Sequence, residues 1–186
     1  MRLPGPVLTL ILIPIGMFLA YLSGFVVPLG YGVTIVWLGI LVVANGSIWF
    51  GVWGVIAGTV FPFLTSLLLL DVDIAHVVTM LPANMLEGLI PAAFFRVLKA
   101  NPALENSRDL AIYGVGAILI PPIIGGLMTS WFWLLLDLTD WQTFKTFSFD
   151  WALSDMLVLI VFGIPAMMFL TPILRRRGLL VEGWLH

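Results

Sequence analysis

Residues 75–99, AHVVTMLPANMLEGLIPAAFFRVLK, are 25 residues that start behind the acidic Asp71-Val-Asp73 and run into Arg96 and Lys99. About 20 predominantly apolar residues in a helix cross the roughly 30 Å of a bilayer's hydrocarbon, so this stretch reads as a membrane span with one acidic and one basic end. Its interior holds His76, Thr79, Asn84 and Glu87, polar groups that are costly in lipid and therefore informative.

The rest of the chain is similar in kind. Of its 186 residues 61% are hydrophobic and 10% charged, with mean hydropathy +1.14, too much apolar surface for one water-soluble core. Six spans are expected: 6–27, a short 31–44, 48–70, 75–99, 110–136 and 151–174. Pro28, Leu29 and Gly30 separate the first two, and the Asn45-Gly46 pair is expected to turn the chain before the third. The segment 100–109, with Pro102, Glu105 and Asn106, reads as a loop, as does the polar connection Asp137 to Asp150. About 15 residues in the second span give only some 22 Å of helix, so it is the one that can be re-entrant.

Basic residues mark the cytoplasmic side of a membrane protein. Seven of the eight Lys and Arg residues fall in three clusters: Arg2; Arg96, Lys99 and Arg108; and Arg175, Arg176 and Arg177. Six spans put all three on one side. The expected fold is therefore an all-α integral membrane bundle of six transmembrane helices, a single domain over 1–186, with both termini cytoplasmic. The opposite loops hold five acids and only Lys145. The first span is too long for a signal peptide, and no cleavage site followed by a polar mature segment is visible.

Several functions are disfavoured by composition. The chain has no Cys, so disulfides and thiolate metal sites are excluded, and a net charge of −2 without a basic, aromatic-interleaved patch argues against nucleic acid. No phosphate-binding loop, nucleophile and base pair or cofactor motif is visible, so neither an enzyme nor a cofactor is expected. Asp71, Asp73 and His76 have metal-ligand chemistry but too few members for a site.

Within the spans, Asn84 and Glu87 stand three residues apart on one helical face with Met80 and Pro91, and Glu87 falls near mid-membrane, where a charge needs a partner or a proton. They read as a ligand or proton site, or as groups bonded to a neighbouring helix. Asp155 follows Trp151 by one turn. With Trp131 and Trp133 these residues can form an aromatic-walled pocket with an acid, or belong to an interfacial aromatic belt. Gly16, Ala20 and Gly24 repeat every four residues and leave a flat stripe for close approach of another helix, internal or from a partner; Gly51, Gly54 and Gly58 form a second. Pro121-Pro122 with Gly125-Gly126 predict a break or kink in the fifth span.

The six-span plan, the run Phe50-Gly-Val-Trp-Gly-Val-Ile-Ala-Gly58, the run Leu81-Pro-Ala-Asn-Met-Leu-Glu-Gly-Leu-Ile90 with Phe95-Arg96, and Pro172-Ile-Leu-Arg-Arg-Arg-Gly178 resemble the substrate-binding S components of energy-coupling factor transporters. The resemblance implies vitamin-like micronutrient uptake through the cell (inner) membrane without catalysis. It also implies a membrane coupling subunit and ATPases in trans, docked on Gly16, Ala20 and Gly24. Substrate would then sit in the outer half of the bundle near Asn84, Glu87, Trp131, Trp133, Trp151 and Asp155. The run from Asn84-Met-Leu-Glu-Gly through Arg108-Asp109 to Trp151-Ala-Leu-Ser-Asp155 also resembles the latter half of membrane-embedded sensor domains that precede histidine kinases and diguanylate cyclases. A non-catalytic accessory subunit of a larger membrane complex is the third reading.

Overall fold

A computed structural model describes residues 4–23, 28–30, 33–34, 36–181 and 183–185. Arg2 and Gly24, and with them part of the expected sidedness and docking stripe, lie outside the described residues. The helices are α1 (Gly5–Ser23), α2 (Leu41–Phe50), α3 (Val52–Leu68), α4 (Ile74–Val97), α5 (Ser107–Leu135) and α6 (Trp141–Arg176). A two-stranded antiparallel ladder, β1 (Pro28–Gly30) with β2 (Val33–Thr34), stands between α1 and α2. Four of the helices, α1, α4, α5 and α6, are long and apolar enough to cross a membrane. Their outward faces are apolar as well, through residues such as Leu10 and Phe18 on α1, Leu127 on α5 and Phe169 on α6. Such a surface is stable in lipid and costly in water.

α4 keeps close to the bounds expected for 75–99. Asp73 caps its first turn by accepting the Ala75 N–H, a bond that holds the Asp73 carboxyl below the usual carboxylate range. The neighbourhood of 31–44 departs from expectation. The chain forms the β ladder there, and α2 starts only at Leu41, so its ten residues measure about 15 Å. Asn45-Gly46 is not a turn but mid-helix: Asn45 is buried, accepts the Tyr113 hydroxyl at 2.7 Å and donates to the Gly163 carbonyl at 3.2 Å. These side-chain bonds replace the water that an Asn-Gly turn would normally face. The reversal falls instead at Gly51, whose φ of 64° suits a residue without Cβ. α2 and α3 then pack back to back, and the closeness depends on Gly54, where a Cβ would overlap the Gly46 carbonyl.

Two further expectations concern α5 and α6. Pro121-Pro122 does not break α5; a π-helical segment, Gly114–Leu119, precedes the prolines and the chain stays helical through them. Widening the turn is one way to accommodate residues that lack an N–H. The polar connection Asp137 to Asp150 is mostly helix. Asp140 caps α6 by accepting the Thr143 N–H at 2.7 Å, so the helix begins at Trp141 and runs 36 residues, about 54 Å, through a π segment at Leu159–Gly163.

Hydrogen bonds gather one set of helix ends. Thr9 near the start of α1 donates to the Trp53 carbonyl, Trp49 donates to Thr171 at 2.8 Å, and Thr171 donates to the Pro102 carbonyl. Arg175 reaches Asn101, and Arg96 bonds the Gly183 carbonyl while its guanidinium lies 5.0 Å from the Trp184 ring. The start of α1, the Gly51 turn, the end of α4, the 98–106 loop and the end of α6 therefore share one end of the bundle. Arg96, Arg108 and Arg175–Arg177 are there, whereas Asp71, Asp73, Asp137 and Asp140 belong to the opposite loops.

Candidate functional site: a polar cavity above a half-length helix

Because α2 covers only half the height of its neighbours, the space above it is filled by the irregular segment at 36–39 and by a cavity. Trp37, stacked on Phe61 at 6.2 Å, forms the cavity's floor beside Ala20. Thr65 and Ser66 of α3 and Asn84 of α4 line one side, and Trp151, Ser154 and Asp155 of α6 another. About 40 Å³ is open to the centres of water molecules, room for roughly three waters at 10–15 Å³ each.

The cavity's polar groups are deeply buried: Asn84 and Asp155 are each 2% exposed, and Glu87, one turn below Asn84, is fully enclosed. Trp151 Nε1 donates to Glu87 Oε1 at 2.6 Å. Gly125 of α5 makes the slot for that carboxyl, since a Cβ there would overlap Glu87 Oε1. Asp155 lies beside both Glu87 and Trp151. Three oxygens, Asn84 Oδ1, Glu87 Oε2 and Asp155 Oδ2, have no protein hydrogen-bond partner. A buried polar atom left so normally costs about 1–3 kcal/mol, and here three such atoms fall in one cluster.

The structure thus brings Asn84, Trp151 and Asp155 to one cavity, with Glu87 directly behind. It separates the other two tryptophans. Trp133 is fully buried but serves as a wall behind Met80: its indole donates to Thr79 at 2.7 Å and its ring packs on His76 and Phe147. Trp131, two residues away, is 48% exposed on the outer surface against Phe144. Of the expected docking stripe, Gly16 meets the Phe61 ring and Ala20 is buried beside the cavity, so these two residues face α3 and the chain's own core. Trp37, Thr65, Ser66, Ser154 and Gly125 were not singled out as site residues. Thr65 and Ser66 did carry a signal, as adjacent hydroxyls in an apolar span.

Fold and site together define a helical protein compatible with a multi-pass membrane location, with a small, partly open cavity whose largely apolar lining includes Asn84 and Asp155. Comparison of the chain with protein-family models, with curated proteins and with solved structures finds no match in any of the three.

Proposed function

We propose that the chain is a membrane-embedded binding subunit that captures a small molecule in the cavity above α2, as the substrate-binding component of a micronutrient uptake transporter. The observation that carries the reading is the cavity lined by Asn84 and Asp155, each with a buried oxygen that lacks a hydrogen-bond partner among the described residues. A ligand that supplies those bonds would offset the cost of burying them. In this reading the chain crosses the membrane six times, with the segment 36–50 as an irregular crossing completed by α2. The end that carries Arg96, Arg108 and Arg175–Arg177 is then cytoplasmic. The cavity lies in the other half, so the ligand arrives from outside, past the β ladder.

A sensory role has one observation in its favour. α6 runs without a loop from Asp155 at the cavity to the basic Arg175–Arg177 end, so a ligand that shifts the helix would move its cytoplasmic end as well. Transport and sensing share the binding step, and mass spectrometry of the denatured extract of purified protein tests it. A stoichiometric small molecule is expected; lipid and detergent alone would overturn the proposal.

A further inference from the structure

Resting on that reading of the cavity, we infer that its ligand is a small protonated amine, held through its N–H groups by Asn84 and Asp155 and against the rings of Trp37 and Trp151. Three facts carry the chemistry. Among the described residues the unsatisfied atoms in and behind the cavity, Asn84 Oδ1, Asp155 Oδ2 and Glu87 Oε2, are all oxygens that can accept from a donor. Among the described residues no Lys, Arg or His lines the cavity, and the ion pairs are His76–Asp73, Arg108–Asp109 and Arg175–Glu105, none of which reaches these two acids. Among the described residues the cavity's aromatic lining is two indoles, the side chain whose face attracts an ammonium most strongly.

An anionic ligand would find no Lys, Arg or His among the described lining residues to pair with it. A purely apolar ligand would leave the oxygens unbonded. An ammonium group satisfies several acceptors at once through its N–H donors. Room for roughly three waters fits an ammonium with a short arm, in a cavity whose apolar wall includes Pro62, Leu70 and Met80.

The test uses full-length protein in detergent and three probes of one size, propylammonium, propanol and propionate, read by tryptophan fluorescence and by the shift in unfolding temperature. Saturable binding of propylammonium is expected, with neither effect from the other two, and with affinity at least about tenfold weaker in Asp155→Asn and in Asn84→Ala. Both variants are first shown to melt cooperatively, and the conservative Asn at 155 guards against collapse of the site. Equal or tighter binding of propanol or propionate, or undiminished propylammonium binding in both variants, overturns the inference. The retained-ligand experiment separates the two claims. A retained molecule without a basic nitrogen defeats the amine and leaves the binding role standing, while no retained molecule together with no amine binding defeats both.

Discussion

Trp151 Nε1 and Glu87 Oε1 are joined by a 2.6 Å hydrogen bond between helices whose partners are 64 residues apart in the chain. The bond ties α6 to α4 at the depth of the cavity and orients the Glu87 carboxyl beneath Asn84. Trp151→Phe keeps most of the ring and removes the donor, leaving Glu87 Oε1 buried without that bond. A loss of about 1–3 kcal/mol is expected in denaturant or thermal unfolding in detergent. In a double-mutant cycle with Glu87→Gln, coupling between the two changes of at least about 0.5 kcal/mol is expected, and additive effects would show that the bond contributes nothing.

Gly125→Ala should destabilise the bundle by about 1–3 kcal/mol, because the new methyl group overlaps the Glu87 carboxyl in a packed interior. Shortening Glu87 to Ala in the same background should recover part of the loss. Unfolding temperatures of the two single variants and the double variant check this.

Gly51→Ala places a Cβ at φ 64° and against the Trp184 carbonyl. A cost of about 1–3 kcal/mol is expected from backbone strain alone. Ala57→Gly, which tests a glycine in the interior of the following helix, should cost only about 1 kcal/mol from propensity and lost packing. Comparable melting temperatures for Gly51→Ala and the parent would place the reversal elsewhere.

The start of α6 should depend on the Asp140 cap. The Thr143 N–H bond holds the Asp140 carboxyl below the usual range, so the ionised cap stabilises the folded helix at neutral pH. A depressed carboxyl contributes stability above its unfolded value and loses it as pH falls through its folded one, so fraying is expected only below about pH 4. Hydrogen exchange across 141–147 should quicken in Asp140→Ala at pH 7 and leave α4 unchanged.

The parts of the fold that were legible in the sequence are those where lipid sets the rule. Helix 74–97 differs by one or two residues from the expected 75–99, because length, apolarity and flanking charge all act on it together. The segment around α2 was not legible. A 15 Å helix below an irregular stretch has the same apolar composition as a short span, and Asn45-Gly46 carries a turn's residues while its amide is committed to Tyr113 and Gly163. Chain reversals at Asp71, Lys99 and Asp137 use positive φ without glycine, so they left no glycine stop signal. The beginning of α6 was hidden because its polar residues read as loop, although Asp140 with Thr143 is a capping pair. For the site, spacing on one face aligned Asn84 with Glu87, and the tertiary fold added Trp151 and Asp155. Trp131 and Trp133 could not both face inward, since residues two apart on a helix point about 200° from one another.

Mass spectrometry of the denatured extract is the most direct test of the binding claim, run in parallel on the parent chain and on Asp155→Asn and Asn84→Ala. The account predicts one small molecule per parent chain, lost from both variants while their helices and melting remain intact. An extract holding only lipid and detergent, or a molecule retained equally by the parent and both variants, would contradict it.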